Sequence, residues 1–421
     1  MDNFRISKLE VNNIGPFGHL ELDFPEKPAG MSDRAEIHIL TGENGTGKTT
    51  VLEMLAAAPL NSPTNLSQKS RFSDPRSDFY IRYEPSGSAR GTSVGSRPKF
   101  DSEQLRDYID SLNGVNKTYK LALFAYSGHR HIKRAHLEGI NDIKSNPFEE
   151  ALNFQNPIQS DRILQWIANT ITKEALAKNQ SDFELARQFR FSITNLENII
   201  GQIIEKPIRF LLRYEPLNVV IEVDHETLDF NLLPDGLKSI ISWIADLLMR
   251  MDRVKWENDT PVFERNFILF LDEIEVHLHP AWQRKILPAV QKLFPNAQIF
   301  ISTHSPFVVG SVDGAWIHKF VKPNGDSRLA GPPILSEDAK SFRYWLEEVF
   351  DIKKEFGEGA QRQLDRFYDL RNRLLVNGTP QEREEFIHIA GDLSRQSPEM
   401  ESIISWEIRQ FNKRSPQPVS I

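Results

Sequence analysis

Residues 42–49 of this 421-residue chain read Gly-Glu-Asn-Gly-Thr-Gly-Lys-Thr and match the phosphate-binding pattern G-x-x-x-x-G-K-[ST]. The pattern requires a strand before the loop and a helix after it. Residues 35–40, Ala-Glu-Ile-His-Ile-Leu, predict that strand, and residues 51–58 predict the helix. The glycines let backbone N–H groups turn towards phosphate oxygens, and the helix N-terminus adds positive potential. This stretch therefore predicts the strand–loop–helix entry of an α/β nucleotide-binding fold.

The loop also carries side chains that act on a bound nucleotide. Lys48 is expected to reach the outer phosphates and to take part in catalysis, and the Thr49 hydroxyl is expected to ligate magnesium. The sequence thus predicts ATP and Mg²⁺ as ligands. The residues expected to bind the nucleotide or its metal ion in this loop are Gly42, Asn44, Gly45, Gly47, Lys48, Thr49 and Thr50.

Two further apolar stretches end in polar residues. Residues 267–271 precede Asp272 and Glu273, and residues 299–302 lead to His304. An aspartate at the end of a buried strand can hold the magnesium shell, and the neighbouring glutamate can orient or activate the attacking water. A histidine one strand further along can reach a γ-phosphate. Each feature is common alone, but beside a P-loop they predict a hydrolytic site.

The composition is that of a folded, weakly acidic protein with 58 acidic and 51 basic side chains, a formal net charge of −7 and no cysteine. Disulfides and thiolate metal sites are therefore excluded. No stretch approaches the roughly 20 apolar residues of a membrane span, so we expect a cytoplasmic protein without membrane contact. Because the net charge is negative, any DNA contact must be a local patch. The basic residues 129–134 form either such a patch or a solvated loop.

Apolar periodicity predicts several elements around the P-loop. They are a β-hairpin at residues 4–24, an irregular segment at 61–98 in which only residues 79–83 look strand-like, a buried strand at 121–126, and a helical lobe at 148–204 whose buried positions include Leu185 and Phe189. The chain then divides into an α/β core at residues 1–60 and 210–330, an insertion at 61–209, and a C-terminal helical region at 331–421. Trp345 and Trp406 are expected in helix cores.

Five segments together resemble the ATP-binding-cassette (ABC) ATPases of the SMC and RecF-like branch. They are the hairpin ending at residues 20–24, the P-loop, residues 271–273, the Glu-Val-His-Leu-His-Pro motif at 275–280 and the Ser-Thr-His-Ser-Pro motif at 302–306. The last two motifs are the most specific. The resemblance implies an α/β P-loop NTPase of ABC type with an N-terminal β-hairpin, an inserted helical lobe and a C-terminal helical region.

In that family the signature loop of one subunit completes the active site of the other. This implies a head-to-tail homodimer with ATP at its interface, or a higher homo-oligomer. The matching segment is residues 233–237, Leu-Pro-Asp-Gly-Leu, which makes Asp235 and Gly236 nucleotide-binding residues of the opposing site. Pro234 stands where a serine usually contacts the γ-phosphate, which implies slow or partner-dependent turnover. The family's Q-loop is left open between Gln155 and residues 126–130.

The compact design, without long coiled-coil arms, resembles the ATPases of bacterial anti-phage systems of the Septu, retron-associated and PARIS types. That resemblance implies an ATPase that senses infection and scaffolds or restrains a separately encoded effector, often a nuclease. The chain itself shows no nuclease motif. Two alternatives stay open: a DNA-repair ATPase of the RecF kind, and an ATP-held scaffold with marginal hydrolysis. The ATPase half of a membrane importer is disfavoured by the N-terminal hairpin.

Overall fold

The structure, a computed structural model, describes residues 4–57, 77–85, 92–96, 118–128, 136–155, 157–257, 260–337, 339–352, 354, 356–415 and 417–419. The basic cluster at 129–134 lies outside the described residues. The chain divides into two compact units, Met1–Trp345 and Leu346–Ile421. The P-loop and all other predicted site residues belong to the first unit.

The strands are β1 (Phe4–Ile14), β2 (Phe17–Asp23), β3 (Glu36–Gly42), β4 (Asp78–Pro85), β5 (Thr92–Ser96), β6 (Ala122–Tyr126), β7 (Ile208–Tyr214), β8 (Leu217–Val223), β9 (Glu226–Asp229), β10 (Phe267–Leu271), β11 (Ala297–Ser302), β12 (Trp316–Val321), β13 (Arg328–Leu329) and β14 (Ile334–Leu335). The helices are α1 (Lys48–Ala57), α2 (Ser160–Asn179), α3 (Phe183–Ile204), α4 (Asp235–Arg253), α5 (Pro280–Leu293), α6 (Pro306–Val309), α7 (Phe342–Glu348), α8 (Glu358–Leu374), α9 (Pro380–Ser394) and α10 (Pro398–Arg414).

A sheet with five parallel strands positions the site. The strands β12, β3, β11, β10 and β6 are neighbours in that order. Every residue of β10 is buried, as expected for a parallel strand covered on both faces. Because parallel strands end at one edge of a sheet, the P-loop, Asp272 and Thr303 meet at the same edge. The α/β P-loop architecture expected from the sequence is confirmed.

A second, antiparallel sheet has the strand order β2-β1-β4-β5. The hairpin expected at residues 4–24 is confirmed as β1 and β2. Within the segment expected to be largely irregular, the strand-like residues 79–83 lie in β4, which pairs with β1 along its length. The expectation is wrong for β5, which forms a strand by pairing with β4. Strand formation at β5 depends on this partner, which the local composition does not reveal.

A buried polar cluster connects the two sheets. Glu36 of β3 accepts hydrogen bonds from Arg5 of β1 at 2.9 Å, from His38 at 3.0 Å and from Gln298 of β11 at 2.6 Å. His38 Nδ1 lies 3.3 Å from Nε2 of His318 on β12. Both histidines are fully or almost fully buried. Because each charge in the cluster has a partner, the carboxylate can be buried without an uncompensated desolvation cost.

The helical lobe begins later than expected. Residues 148–155 lie mostly in turns, residues 157–159 have no regular secondary structure, and the first helix starts at Ser160. On α3 the buried positions follow a helical stripe through Ala186, Ile193 and Ile200. Leu185 is 37% exposed and Phe189 is half-buried, so the expectation that they are buried core residues is wrong. Leu185 lies off that stripe, whereas Phe189 lies on it, between Ala186 and Ile193, and is only partly covered.

The second unit is a helical bundle whose core is built from α8, α9 and α10. α9 begins with a capping box in which Thr379 and Glu382 bond each other's backbone N–H groups. α10 begins with Ser397 as its N-cap and Pro398 in its first turn, which are ordinary helix-start residues. Trp406 of α10 is 58% exposed, so its expected place in a helix core is wrong, whereas Trp345 in the first unit is buried.

Among the helices of the described chain, none has the length and apolarity needed to cross a membrane.

The buried histidines predict a pH-dependent stability. Burial lowers the pKa of His38 and lowers that of His318 well below the ordinary value of 6.5. The unfolded chain therefore binds protons first as the pH falls below about 6.5, and the free energy of unfolding should fall by up to about 1.4 kcal/mol per pH unit for each histidine. Well above that pH the two histidines no longer lower the free energy of unfolding. Urea unfolding between pH 5 and 7.5 measures the slope.

In the variant His318→Asn, the slope of the free energy of unfolding against pH should be smaller by the contribution of one histidine, because the titrating imidazole is gone. His225→Asn is the matched control, since His225 is exposed and its left-handed backbone (φ 68°) tolerates asparagine. An unchanged slope in His318→Asn would contradict the prediction.

Candidate active site

The P-loop glycines have conformations that only glycine adopts easily. Gly45 and Gly47 have φ values of 77° and 96°, which point successive backbone N–H groups into the loop. A Cβ atom at Gly47 would lie 2.4 Å from the Phe17 ring and 2.7 Å from Pro16. A Cβ atom at Gly42 would lie 2.2 Å from the carbonyl oxygen of Phe320. The loop is therefore packed between the β1–β2 turn and β12.

The loop opens onto a cavity of about 400 Å³. The predicted residues that line it are Asn44, Gly45, Gly47, Lys48, Thr49, Thr50, Glu273 and His304. Three lining residues were not among the predicted ones, namely Gly15, Pro16 and Ser302. The predicted residues Gly42 and Asp272 do not line the cavity, but each accepts a hydrogen bond from a residue that does, Gly42 from Lys48 and Asp272 from Thr49.

Lys48 is held by the loop itself. Its Nζ donates to the carbonyl oxygens of Gly42 at 3.0 Å and Glu43 at 2.9 Å. Burial lowers the pKa of Lys48, and the nearby carboxylates of Asp272 and Glu273 oppose that shift. The ammonium group therefore lies inside the loop, ready to exchange carbonyl partners for phosphate oxygens.

Asp272 is bonded by two hydroxyl groups. Thr49 Oγ1 donates to its carboxylate oxygens at 3.0 and 3.1 Å, and Ser302 Oγ also donates to it. Burial raises the pKa of Asp272. A hydroxyl and a carboxylate side by side at a P-loop are the hard oxygen ligands that Mg²⁺ prefers, so these residues fit the predicted metal ion.

Glu273 lies on a strained turn directly after Asp272. Its backbone φ is 45°, and its N–H donates to Ser302 Oγ at 2.9 Å. A Cβ atom at Gly128 would lie 2.6 Å from the Glu273 Cβ atom, so the chain leaving β6 passes close behind it. A non-glycine residue is held at positive φ only where surrounding contacts fix it, and such residues cluster at functional sites.

The two Q-loop candidates differ in their positions. Residues 126–128 lie beside Glu273, while the remaining residues 129 and 130 fall outside the described chain. Gln155 is exposed and does not line the described cavity. The position of Gly128 favours the segment after β6.

His304 faces the cavity from the loop after β11. Burial and the nearby Lys48 lower its pKa, which favours the neutral ring at neutral pH. Its backbone N–H donates to Glu275 at 2.6 Å. Glu275 and Ser302 are site residues that the sequence reasoning did not select, although both stand in motifs that it recognised.

The proposed signature segment lies away from the cavity of its own chain. Asp235 and Gly236 begin α4 and are not among the described lining residues. Pro234 is the N-cap and offers no side-chain cap, while the Asp235 side chain is 82% exposed. A Cβ atom at Gly236 would lie 2.6 Å from the His277 carbonyl oxygen. The α4 N-terminus is thus fixed against the segment that follows Glu273.

Residues 37–310 match the sequence family described as "AAA domain, putative AbiEii toxin, Type IV TA system". The match covers more than half of the chain. The chain belongs to this family. The matched AAA domain contains the P-loop, Asp272, Glu273 and His304, whereas the lining residues Gly15 and Pro16 precede it.

This AAA-domain chain is similar to two named relatives. It is 24% identical to the retron Ec83 probable ATPase of Escherichia coli over 258 residues, which covers 56% of this chain and 47% of that protein. It is 23% identical to the Septu protein PtuA of Bacillus thuringiensis over 313 residues, 72% of each chain. The chain therefore spans about half the length of the retron relative. The resemblance to Septu and retron ATPases is confirmed.

Among solved structures, the fold is similar to an Smc head domain bound to the C-terminal domain of ScpA, derived from Pyrococcus furiosus. The TM-score is 0.46 at 12% identity, and the match covers 79% of this chain and 96% of that chain.

The packing of Gly47 predicts a loss of stability for Gly47→Ala. Alanine at φ 96° is strained, and its Cβ atom would overlap Phe17 and Pro16, so the free energy of unfolding should fall by about 1–3 kcal/mol. Urea unfolding measures it. The control Gly331→Ala has no atom within 4 Å of the new Cβ and should change stability by less than about 0.5 kcal/mol. Equal losses of stability in Gly47→Ala and Gly331→Ala would contradict the close packing of Gly47.

Proposed function

We propose that this chain binds and hydrolyses ATP. The observation that carries the proposal is the convergence of Lys48, Glu273 and His304, from three separate loops, on one cavity beside the P-loop. Inward backbone N–H groups and a lysine favour a polyphosphate. A carboxylate and a histidine at the same wall are suited to activate water and to contact the terminal phosphate.

The roles follow from the contacts. Lys48 would exchange its carbonyl partners for the outer phosphate oxygens. Thr49 and Asp272 would hold Mg²⁺, which neutralises phosphate charge when bound. Ser302 orients both acidic residues, because its hydroxyl donates to Asp272 and accepts from the Glu273 N–H.

Glu273 is the proposed general base for the attacking water. Its turn is held by Ser302 and by the close approach of Gly128, so the carboxylate is positioned before substrate binds. His304 is the proposed phosphate sensor. A neutral imidazole can donate one N–H to a phosphate oxygen, and the lowered pKa of His304 favours that form.

We further propose that the active form is a head-to-tail homodimer or a higher homo-oligomer. The supporting observation is the exposure of two side chains beside the start of α4, where Leu232 is 74% exposed and the Asp235 side chain is 82% exposed. The backbone N–H groups at a helix N-terminus bind anions, and those of α4 do not reach the cavity of their own chain. A second copy could place its Asp235 and Gly236 against the nucleotide.

The biological role proposed is anti-phage defence. The similarity to a Septu protein and to a retron ATPase supports it. In that role the ATPase would sense infection and restrain a separately encoded effector, for which a nuclease is the proposed class.

An ATP-held scaffold with marginal hydrolysis is the second candidate, because Pro234 replaces the family's serine. A RecF-like repair role is the outcome that would replace the defence proposal, whereas direct DNA contact is compatible with it.

Glu273→Gln is expected to abolish ATP turnover and retain ATP binding, because the amide cannot accept a proton from water. Phosphate release and nucleotide affinity measure the two effects, and light scattering gives the mass with and without ATP. The matched control is Glu257→Gln, at an exposed carboxylate outside the cavity. If the wild-type protein binds ATP and assembles but does not hydrolyse ATP, the scaffold proposal replaces the enzyme proposal. A monomer indifferent to ATP would contradict both.

The same variant tests the defence role. Cells carrying the chain with its neighbouring genes are challenged with phage, and plaque formation is compared between wild type and Glu273→Gln. Protection by the wild type and its loss in the variant are expected. Equal plaque numbers with and without the wild-type genes across a phage panel, together with sensitivity to DNA damage in a deletion strain, would favour the repair role.

The composite site predicts recovery of activity on mixing two inactive variants. Leu232→Glu adds a negative charge beside the signature segment and should block only the site that this segment completes. Glu273→Gln should block only its own site. A one-to-one mixture, combined before ATP is added, forms mixed dimers with one intact site and should recover about a quarter of wild-type turnover. No recovery above the separate variants would contradict the head-to-tail arrangement.

A further inference from the structure

Glu275 has both carboxylate oxygens occupied by the loop that carries His304. Its Oε1 accepts the His304 backbone N–H at 2.6 Å, and its Oε2 accepts the Thr303 hydroxyl at 2.8 Å. Burial raises the pKa of Glu275, so the two short hydrogen bonds compensate a carboxylate that is poorly solvated.

The contacted loop is fixed from the other side as well. The Thr303 N–H donates to the carbonyl oxygen of Leu40 at 3.1 Å, on the strand that leads into the P-loop. The Ser305 N–H donates to Thr303 Oγ1 at 3.0 Å. Thr303 is fully buried. Thr303 and the His304 backbone therefore have one defined position, held between β3 and the carboxylate of Glu275.

Glu275 does not reach the nucleotide site directly. It is absent from the described residues that line the cavity, whereas Glu273 and His304 line it. Both of its oxygens already accept hydrogen bonds from the loop, so it is poorly placed to act as a base. Any effect of Glu275 on substrate must pass through the groups that it holds.

We propose that Glu275 is a positioning residue that fixes His304 against the terminal phosphate, a role that rests on the proposed ATP-binding function. Glu275 stands two residues after Glu273, so one short segment places the base and supports the phosphate sensor. Loss of the carboxylate frees the His304 N–H and the Thr303 hydroxyl, and the imidazole then loses its fixed distance from the phosphate.

The test compares the affinities of ADP and of the non-hydrolysable analogue AMP-PNP, which carries a third phosphoryl group. The variants are Glu275→Ala, Glu275→Gln, His304→Ala and the double variant Glu275→Ala/His304→Ala. The control is Glu184→Gln, which removes one charge from an exposed carboxylate on α3. Thermal unfolding of each variant reports its folding separately.

Wild type should prefer AMP-PNP over ADP. Glu275→Ala and His304→Ala should each reduce that preference by about tenfold, the factor that corresponds to a hydrogen bond to a charged group. The double variant should lose no more than about twofold beyond His304→Ala, because both changes remove the same interaction. Glu275→Gln should lie between wild type and Glu275→Ala, since its amide oxygen can still accept the His304 N–H. Glu184→Gln should match wild type.

Three results would overturn the proposal. They are an unchanged preference in Glu275→Ala, additive losses in the double variant, or a fall in the affinity of both nucleotides in proportion to lost stability. If Glu275→Ala does not fold, Glu275→Gln alone and with His304→Ala completes the same cycle. Failure of wild type to bind either nucleotide would instead contradict the proposed ATP-binding function, so the two failures are distinguishable.

Discussion

The hydrogen bonds to the Asp272 carboxylate join the elements on which the site depends. Thr49 donates from the start of α1 and Ser302 from the end of β11, while Asp272 follows β10. Burial raises the pKa of this carboxylate, and the hydrogen bonds from Ser302 and Thr49 oppose that shift by stabilising the charged form. Because the three elements end at one edge of a parallel sheet, a single acidic group can connect all of them.

The N-terminal sheet contributes to the site through packing. Its β1–β2 turn places Gly15 and Pro16 at the cavity wall and packs Phe17 against Gly47. The turn keeps this position because β1 is tied to the parallel sheet at its other end, where Arg5 bonds Glu36 and the Gln298 side chain bonds the Ile6 backbone. The buried polar cluster thus ties β1 to β3 and β11 through directional hydrogen bonds.

Helix α4 connects the proposed signature segment to the catalytic edge of the same chain. Its first turn packs Gly236 on the His277 carbonyl oxygen. Further along the helix, Asp246 accepts hydrogen bonds from Tyr126 at 2.9 Å and from Arg250 at 2.6 Å. Tyr126 ends β6, and its carbonyl oxygen accepts the Asp272 N–H at 2.9 Å. A displacement of α4 would therefore shift the chain segments that hold Asp272 and Glu273 in position.

Local sequence patterns were sufficient to identify the groups that are proposed to act on the nucleotide. The P-loop glycines, Lys48, Asp272 and His304 stand in short motifs, because each needs a particular side chain or backbone conformation directly after a strand. The apolar runs of β10 and β11 likewise identified the central strands, since strands buried on both faces are continuously apolar. These features could be predicted from neighbours in the chain.

The tertiary structure alone decided the supporting contacts. Ser302 reaches Asp272 across 30 positions, Glu275 reaches His304 across 29, and β5 becomes a strand by pairing with β4. Leu185 and Trp406 carry the apolar character of core residues yet are exposed, because the face of a helix that is buried depends on what packs against it. Short motifs determine which chemistry is present, whereas packing between distant segments determines where those groups are held and which residues hold them.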